Sequence, residues 1–237
     1  MMAEANEIPT LFNDSMVRAL MDGAKVQTRR PWAPQPDKRP DGWWATKRSR
    51  GGTTTRVRDP REQAHAGPFG LAGDLLYVRE PWTPADYLVG SELDTPCVIA
   101  YRADRSALNH ARTPAVAIDT THWPWDRMKW RPSIHLHKSN VRTWLRVERV
   151  WVERLQDITD ADCIKEGVRE VTKDGRLCKY CVYDRSDYSS VPWSEMPRTA
   201  REAFFHLWDG IYKSRGLGVA ENPWVWCCEF TIKGDRE

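Results

Sequence analysis

Arg142-Thr-Trp-Leu-Arg-Val-Glu-Arg-Val-Trp-Val-Glu153 is the stretch that decides the fold. Trp144, Val147 and Val150 recur along it with polar residues between, which reads as one long strand with a bend, or as a hairpin. Working outward, Asn222-Pro-Trp-Val-Trp-Cys-Cys-Glu-Phe-Thr-Ile232 predicts a closing β segment. Leu71-Ala-Gly-Asp74 is a turn signal, and Leu75-Leu-Tyr-Val-Arg79 follows it as a strand. Cys97-Val-Ile-Ala-Tyr101 predicts another short strand. Helices are fewer. Met16, Val17, Leu20 and Met21 give one an apolar face, with Ser15 as its cap and Gly23 as its stop. Thr159-Asp-Ala-Asp162 opens a second, closed by Gly167. Thr199 and Glu202 form a capping box for a third, whose stripe is Phe204, Leu207, Trp208 and Ile211 and whose end is Gly216. Strands dominate, no βαβ alternation appears and no internal repeat is found. The expected class is α+β, built on a mostly antiparallel sheet or small barrel with flanking helices.

The 237 residues suffice for one large domain, taken as 1–237 with long insertions. Residues 33–68 carry scattered Pro, Gly and Thr with no period, and read as an irregular, basic insertion. Further irregular stretches fall at 103–129 and 172–197. The net charge is only +3, yet residues 25–61 hold eleven Lys/Arg against three Asp, leaving 25 basic and 30 acidic residues for the rest. One basic segment on a mildly acidic body suits a polyanion met by one surface; a mobile tract kept soluble by charge would have the same composition. No apolar run approaches the roughly 20 residues needed to cross a bilayer, so no membrane association is expected. The acidic opening Met-Met-Ala-Glu-Ala-Asn-Glu lacks the apolar core of a secretory signal, and a cytoplasmic location is expected.

The six cysteines are then expected to stay reduced. Cys178-Lys-Tyr-Cys181 has half of a zinc-ribbon spacing, but Cys227 and Cys228 are adjacent and do not supply the other half. Whether Cys178 and Cys181 bind zinc stays open, and the expectation is no metal and no cofactor. His135 and His137 would share one strand face without a third ligand. No phosphate loop, dinucleotide fingerprint or Ser-His-Asp order is present. Thirteen tryptophans are far above normal usage. Most should be core, as Trp208 and Trp226 are by spacing, with two or three left for a ligand.

Gly23-Ala-Lys-Val-Gln-Thr-Arg-Arg30 concentrates an amine, a hydroxyl and two guanidiniums just past a helix end. Such a connector is where function gathers, although a solvated basic loop would have the same composition. The order of the pieces resembles the ASCH domain family of the PUA-like superfamily, in the longer form seen in phages and prophages. The matching residues are Gly23-x-Lys25-x-x-Thr28-x-Arg30, then Gly73-Asp74-x-Leu76-x-Val78-Arg79-Glu80-x-Trp82. Trp130-Arg-Pro-Ser-Ile134-His follows, then Val150-x-Val-Glu-Arg-Leu155-Gln-Asp-Ile158-Thr and Ala161-x-x-x-Lys165-Glu166-Gly167-Val168. Phe204-x-x-Leu-Trp208 and Asn222-Pro-Trp-Val-Trp226-x-x-Glu-Phe230 complete the set.

The resemblance implies a small, mostly antiparallel β-barrel with flanking helices, and a cleft that meets RNA, DNA or a modified nucleoside. If the chain is phage-encoded, its place is the host cytoplasm. One branch of the family hydrolyses the acetyl amide of N4-acetylcytidine with a lysine, a threonine and a glutamate, which Lys25, Thr28 and Glu166 match in position. That branch is shorter and lacks the basic insertion. Other members look like RNA-binding modules or ribonucleases, so a non-catalytic reader is the alternative reading and a nuclease a further one. Two neighbouring cations, Arg29 and Arg30, and a dry cleft would lower the Lys25 pKa and free an amine for base or nucleophile work. Glu166 in the last turn of its helix would meet negative carbonyl ends, which favours its acid form. The Thr28 hydroxyl would donate to an oxyanion or orient water. Arg79, Glu80 and Trp82, with Trp130 and Arg131, are candidates to line the same cleft and hold a base or phosphate; an ordinary Arg–Glu pair is the plain alternative for Arg79 and Glu80.

Overall fold

The structure is a computed structural model that describes residues 5–46, 54–62, 67–85, 98–109, 115–182 and 192–233. In chain order the first strands are β1 (Glu7–Leu11), β2 (Gln27–Pro31), β3 (Asp37–Lys38), β4 (Trp44–Thr46) and β5 (Thr55–Val57). Next come β6 (Leu75–Arg79), β7 (Trp82–Pro84), β8 (Val98–Tyr101), β9 (Ser106–Asn109) and β10 (Val116–Ala117). Last are β11 (Trp144–Arg154), β12 (Val168–Thr172), β13 (Cys178–Val182) and β14 (Trp224–Lys233). Three α-helices interrupt them: α1 (Asp14–Met21), α2 (Asp160–Lys165) and α3 (Ala200–Tyr212). The class is mixed α+β with mostly antiparallel sheets.

The main sheet has the order β1-β6-β11-β14-β2. Its spine is the deciding stretch: β11 is one strand paired antiparallel with β14 from Trp144 opposite Lys233 to Arg154 opposite Trp224. A register shift between Val147 and Arg149 supplies the bend. Only the β1–β6 pair is parallel. Pro9 is tolerated in β1 because that strand is an edge, where a missing N–H costs no ladder bond. The two edges, β1 and β2, are not joined by backbone pairing, and no closed barrel forms among the described residues. They are nonetheless near each other, since Arg30 Nη2 of β2 donates to the Leu11 carbonyl of β1 at 2.8 Å. Four flat inter-strand gaps would separate them by roughly 19 Å, beyond the reach of a side chain. The sheet is therefore curled. Its concave side holds the main core, with Phe12, Val17, Leu20, Leu76, Val147 and Phe230 among its buried members. The other face packs α2 and α3 through Cys163, Phe204, Trp208, Val225 and Cys227.

The helix signals held with one change of cap. Asn13, not Ser15, caps α1, its Oδ1 accepting from Met16 N at 2.9 Å; Ser15 is buried and donates to that same oxygen. Thr159 and Thr199 cap α2 and α3 as expected. The stretch 33–68 is not wholly irregular, because β3, β4 and β5 form a small sheet within it. That sheet docks through Trp44, whose ring meets Trp224 edge-on at 5.5 Å. The basic run Thr46-Lys-Arg-Ser-Arg50, apart from the backbone of Thr46, and Cys97 lie outside the described residues. Residues 103–129 contribute β9 and β10 to a sheet of order β10-β9-β8-β7, and 172–197 contribute β13. His135 and His137 do not sit on a strand but on successive exposed 3-10 turns. No helix among the described residues is long and apolar enough to cross a membrane.

Candidate functional site

The expected connector after α1 is instead a buried strand. Gly23 takes φ 69, and the N–H groups of Ala24 and Lys25 both donate to Ala19 O at 2.9 and 3.0 Å, turning the chain back over the helix end. Lys25 then forms an isolated antiparallel bridge with Glu166, and Val26 N donates to Lys165 O at 2.9 Å. From Gln27 the chain runs beside β14 as β2. Glu166 closes α2, its N–H bonded to Asp162 O. Gly167 follows with φ 98 against Ala19 and Lys25; an added Cβ there would lie 3.1 Å from the Ala19 Cβ. Positive φ and the close approach both call for glycine.

Lys25 and Glu166 meet directly. Lys25 Nζ, with no exposed surface, donates to Glu166 Oε2 at 2.7 Å and to the Glu166 carbonyl at 2.8 Å. Arg29 Nη1 donates to Glu166 Oε1 at 3.1 Å and to Gln27 Oε1 at 3.2 Å, while Arg29 Nε reaches Glu153 Oε1 at 2.9 Å. Trp151 Nε1 holds the other Glu153 oxygen at 2.8 Å. Two cations thus face two carboxylates below the surface, the condition under which buried charge is tolerated. Arg29 Nη2 lies 2.8 Å from Glu153 Oε1 and 3.8 Å from Asp162 Oδ2, yet makes no well-aligned hydrogen bond. A buried donor is left without an acceptor of its own.

Burial is the largest influence on Lys25 and lowers its pKa below the ordinary 10.5. Glu166 pulls the other way, and Arg30 and Arg29 add smaller downward pushes. Neighbouring cations therefore act in the expected direction, but desolvation does most of it. Burial also opposes the charge of Arg29, where Glu166 and then Cys227 and Glu153 outweigh it and raise its pKa. The nearby thiols are inert by the same physics: burial pushes Cys163 and Cys228 up to about 12 and Cys227 well above its ordinary value.

Thr28 is fully buried and, one step from Arg29 on a strand, faces the opposite side. Its Oγ1 accepts from Arg30 Nη1 at 3.0 Å. The Arg30 guanidinium lies 5.3 Å from the Phe12 ring centre, and Lys25 Nζ lies 5.9 Å from the same ring. The Phe12 ring is thus near both the amine and the Arg30 guanidinium. A small cleft with a cavity volume of about 20 Å³ is lined by Met16, Arg29, Arg30 and Glu166 and by Phe204, Leu207, Trp208, Ile211 and Tyr212 of α3. One wall is charged, the other aromatic and aliphatic.

The remaining candidates sit elsewhere. Glu80, 1% exposed, is clasped by Arg142 through bonds of 2.8 and 2.7 Å, and Arg142 also bonds Asp104 and stacks 4.2 Å from the Tyr101 ring centre. Its partner is thus Arg142 and not Arg79. Arg79 Nη1 donates to Ile134 O at 3.0 Å. Trp82 is buried under Arg131, whose guanidinium stands 5.2 Å from the ring, and the two backbones form a bridge. Trp130 packs parallel to Trp125, with centroids 6.1 Å apart, in a small separate core. Cys178 is exposed and Cys181 buried on β13, and residues three apart on a strand point to opposite faces. No group of three or more metal-ligating side chains occurs among the described residues.

Gln27, Glu153, Trp151 and Arg142 were not anticipated. The long-strand pattern placed Glu153 on a strand, but nothing local tells that it meets Arg29, 124 residues away. Comparison with protein-family models, with curated proteins and with solved structures gave no match.

Proposed function

We propose that this protein is an ASCH-type, PUA-like protein that takes a nucleobase into the cleft beside Glu166 and acts as a metal-independent hydrolase on N4-acylated cytidine. One observation carries the reading: a fully buried amine, Lys25, shares a 2.7 Å hydrogen bond with a carboxylate that lines the small cleft. The curled sheet, drawn together by Arg30 and Leu11, suits a PUA-like body. Burial lowers the Lys25 pKa, and Glu166 offers the proton path that amide hydrolysis needs. In this reading Glu166, which lines the cleft and is held by Lys25 Nζ, takes a proton from the water that attacks the acyl carbonyl. Glu166 passes that proton to N4 as the C–N bond breaks, releasing a carboxylic acid and cytidine. Arg29 Nη1 holds the second oxygen of Glu166 and so orients that carboxylate at the cleft. Thr28, fully buried and facing away from Arg29, does not line the cleft; its oxygen accepts from Arg30 and holds that guanidinium at the cleft.

A second reading, a non-catalytic reader of RNA or DNA, is favoured by the full enclosure of Lys25 Nζ, which already holds two acceptors. Incubation with N4-acetylcytidine and other N4-acylated cytidines, read by mass spectrometry, separates the two. The hydrolase reading expects deacylation that is lost in Lys25→Ala and falls at least a hundredfold in Glu166→Gln, in the range of a lost acid–base group. No turnover by the folded wild type on any of them would remove that reading and leave the reader.

A further inference from the structure

We infer that Glu153, held in place by Trp151, is a positioning residue that acts through Arg29 to govern how Lys25 and Glu166 share their proton. The inference deepens the cleft reading above and rests on it for the chemistry, while the chain of contacts stands on geometry alone. Arg29, Cys227 and Trp151 lie opposite one another across β2, β14 and β11, so their side chains share the face that meets α2 and α3. The middle member of that row is a small cysteine, which lets the Arg29 guanidinium reach across β14 to β11. Glu153, two residues past Trp151 and on the same face of β11, receives it. Each carboxylate oxygen in the chain then has its own donor. Glu153 Oε2 accepts from Trp151 Nε1 and Oε1 from Arg29 Nε; Glu166 Oε1 accepts from Arg29 Nη1 and Oε2 from Lys25 Nζ.

Arg29 stays charged, so what it gives to Glu166 depends on what Glu153 takes. Its Nε and Nη2 both face Glu153, which leaves Nη1 for Glu166. Without the Glu153 charge, Arg29 would turn its attraction onto Glu166 and loosen the hold of Glu166 on the Lys25 proton. The buried cluster would also gain a positive charge. Both changes disfavour the ammonium form of Lys25. Screening is weak here, since the Lys25 and Arg29 side chains have no exposed surface. The other charged groups that face the chain are Asp162, 3.8 Å from Arg29 Nη2, and Arg30, which pushes Lys25 in the same direction as Arg29. The thiols of Cys163 and Cys227 are raised by burial and add no charge near neutrality. Glu153 and Trp151 are not among the residues that line the cleft, so their influence on the chemistry passes through Arg29.

The test follows the 15N resonance of the Lys25 amine through a pH titration of the whole protein, beside the kinetics of N4-acetylcytidine deacylation. Glu153→Gln keeps an acceptor for Arg29 Nε and removes only the charge. Its Lys25 midpoint should fall by about one pH unit relative to the wild type. Its kcat should drop by roughly tenfold with KM unchanged, less than the loss of the acid–base group itself. Glu148→Gln removes the same charge from an exposed position of the same strand and should move neither quantity. Trp151→Phe keeps every charge but frees Glu153 Oε2, and should lower the midpoint by a smaller amount; it keeps the test decisive if Glu153→Gln folds poorly. A Lys25 midpoint that is the same in the wild type, Glu153→Gln and Trp151→Phe would overturn the inference, and turnover by the wild type would then leave the hydrolase standing without it. A midpoint that falls in Glu153→Gln, in a protein that deacylates nothing, would uphold the coupling and sink the hydrolase.

Discussion

Lys25 is the residue on which the account turns. Its folded-state pKa is lowered, mainly by burial, against 10.5 for the ordinary side chain. Between the lowered value and 10.5 the unfolded chain binds more protons than the folded one, so the Lys25 contribution to stability rises with pH across that window. Urea midpoints taken at several pH values should show the wild type gaining on Lys25→Met as pH climbs towards 10.5; parallel curves would contradict the shift. Glu80 and Arg142 offer a contrasting residue-scale case. Their side chains are 1% and 7% exposed and clasp each other through two bonds, so Arg142→Ala should cost about 3–5 kcal/mol by stranding a buried carboxylate. A chemical denaturation curve displaced by less than 1 kcal/mol would show that the pair is not the structural clasp described. The sequence motif around Glu80 was visible, but its partner lies 62 residues on and no local pattern announces it.

At the scale of elements, legibility followed hydrophobic patterning. β11 and β14 could be read because apolar residues recur through both, and the helices because of their caps and stripes. β2 could not. Gln27, Thr28 and Arg29 have the polarity of a surface loop; Arg29 is buried because Glu153 and Glu166 neutralise it from distant segments, and Gln27 and Thr28 accept from Arg29 and Arg30. β1 is five residues with a proline inside, and β3 to β5 are two or three residues each, too short to show a period. The link between α2 and β12 is where an element boundary sets the site. Gly167→Ala should lose about 1–3 kcal/mol, because φ 98 is strained for alanine and the new Cβ meets Ala19 at 3.1 Å. Gly175→Ala, with positive φ but nothing within 4 Å, should lose less. Equal losses in thermal or urea melts would mean that the contact beside Lys25 carries no weight.

At the scale of the whole molecule, the basic insertion is partly built into the body. Trp44 packs with the main core and meets Trp224, and Arg154 lies 4.4 Å from the Trp224 ring centre. Excising residues 38–62 should therefore lower the melting temperature by several degrees and shift tryptophan emission to the red, since it uncovers buried aromatic surface. An unchanged melt would make the segment a free appendage. The two-sided sheet also explains the cleft. One face of β2 turns Arg29 towards α2 and α3, the other turns Thr28 and Arg30 towards α1 and Phe12. The pairing of Lys25 with Glu166 was expected only through the family resemblance, since composition and spacing do not join residues 141 positions apart. The most direct measurement is the 15N resonance of the Lys25 amine, followed through a pH titration with and without N4-acetylcytidine. The account expects a midpoint below 10.5 and a change of both midpoint and shift on adding the nucleoside, both absent in Lys25→Met. A Lys25 amine that titrates at its ordinary value and ignores the nucleoside would contradict it.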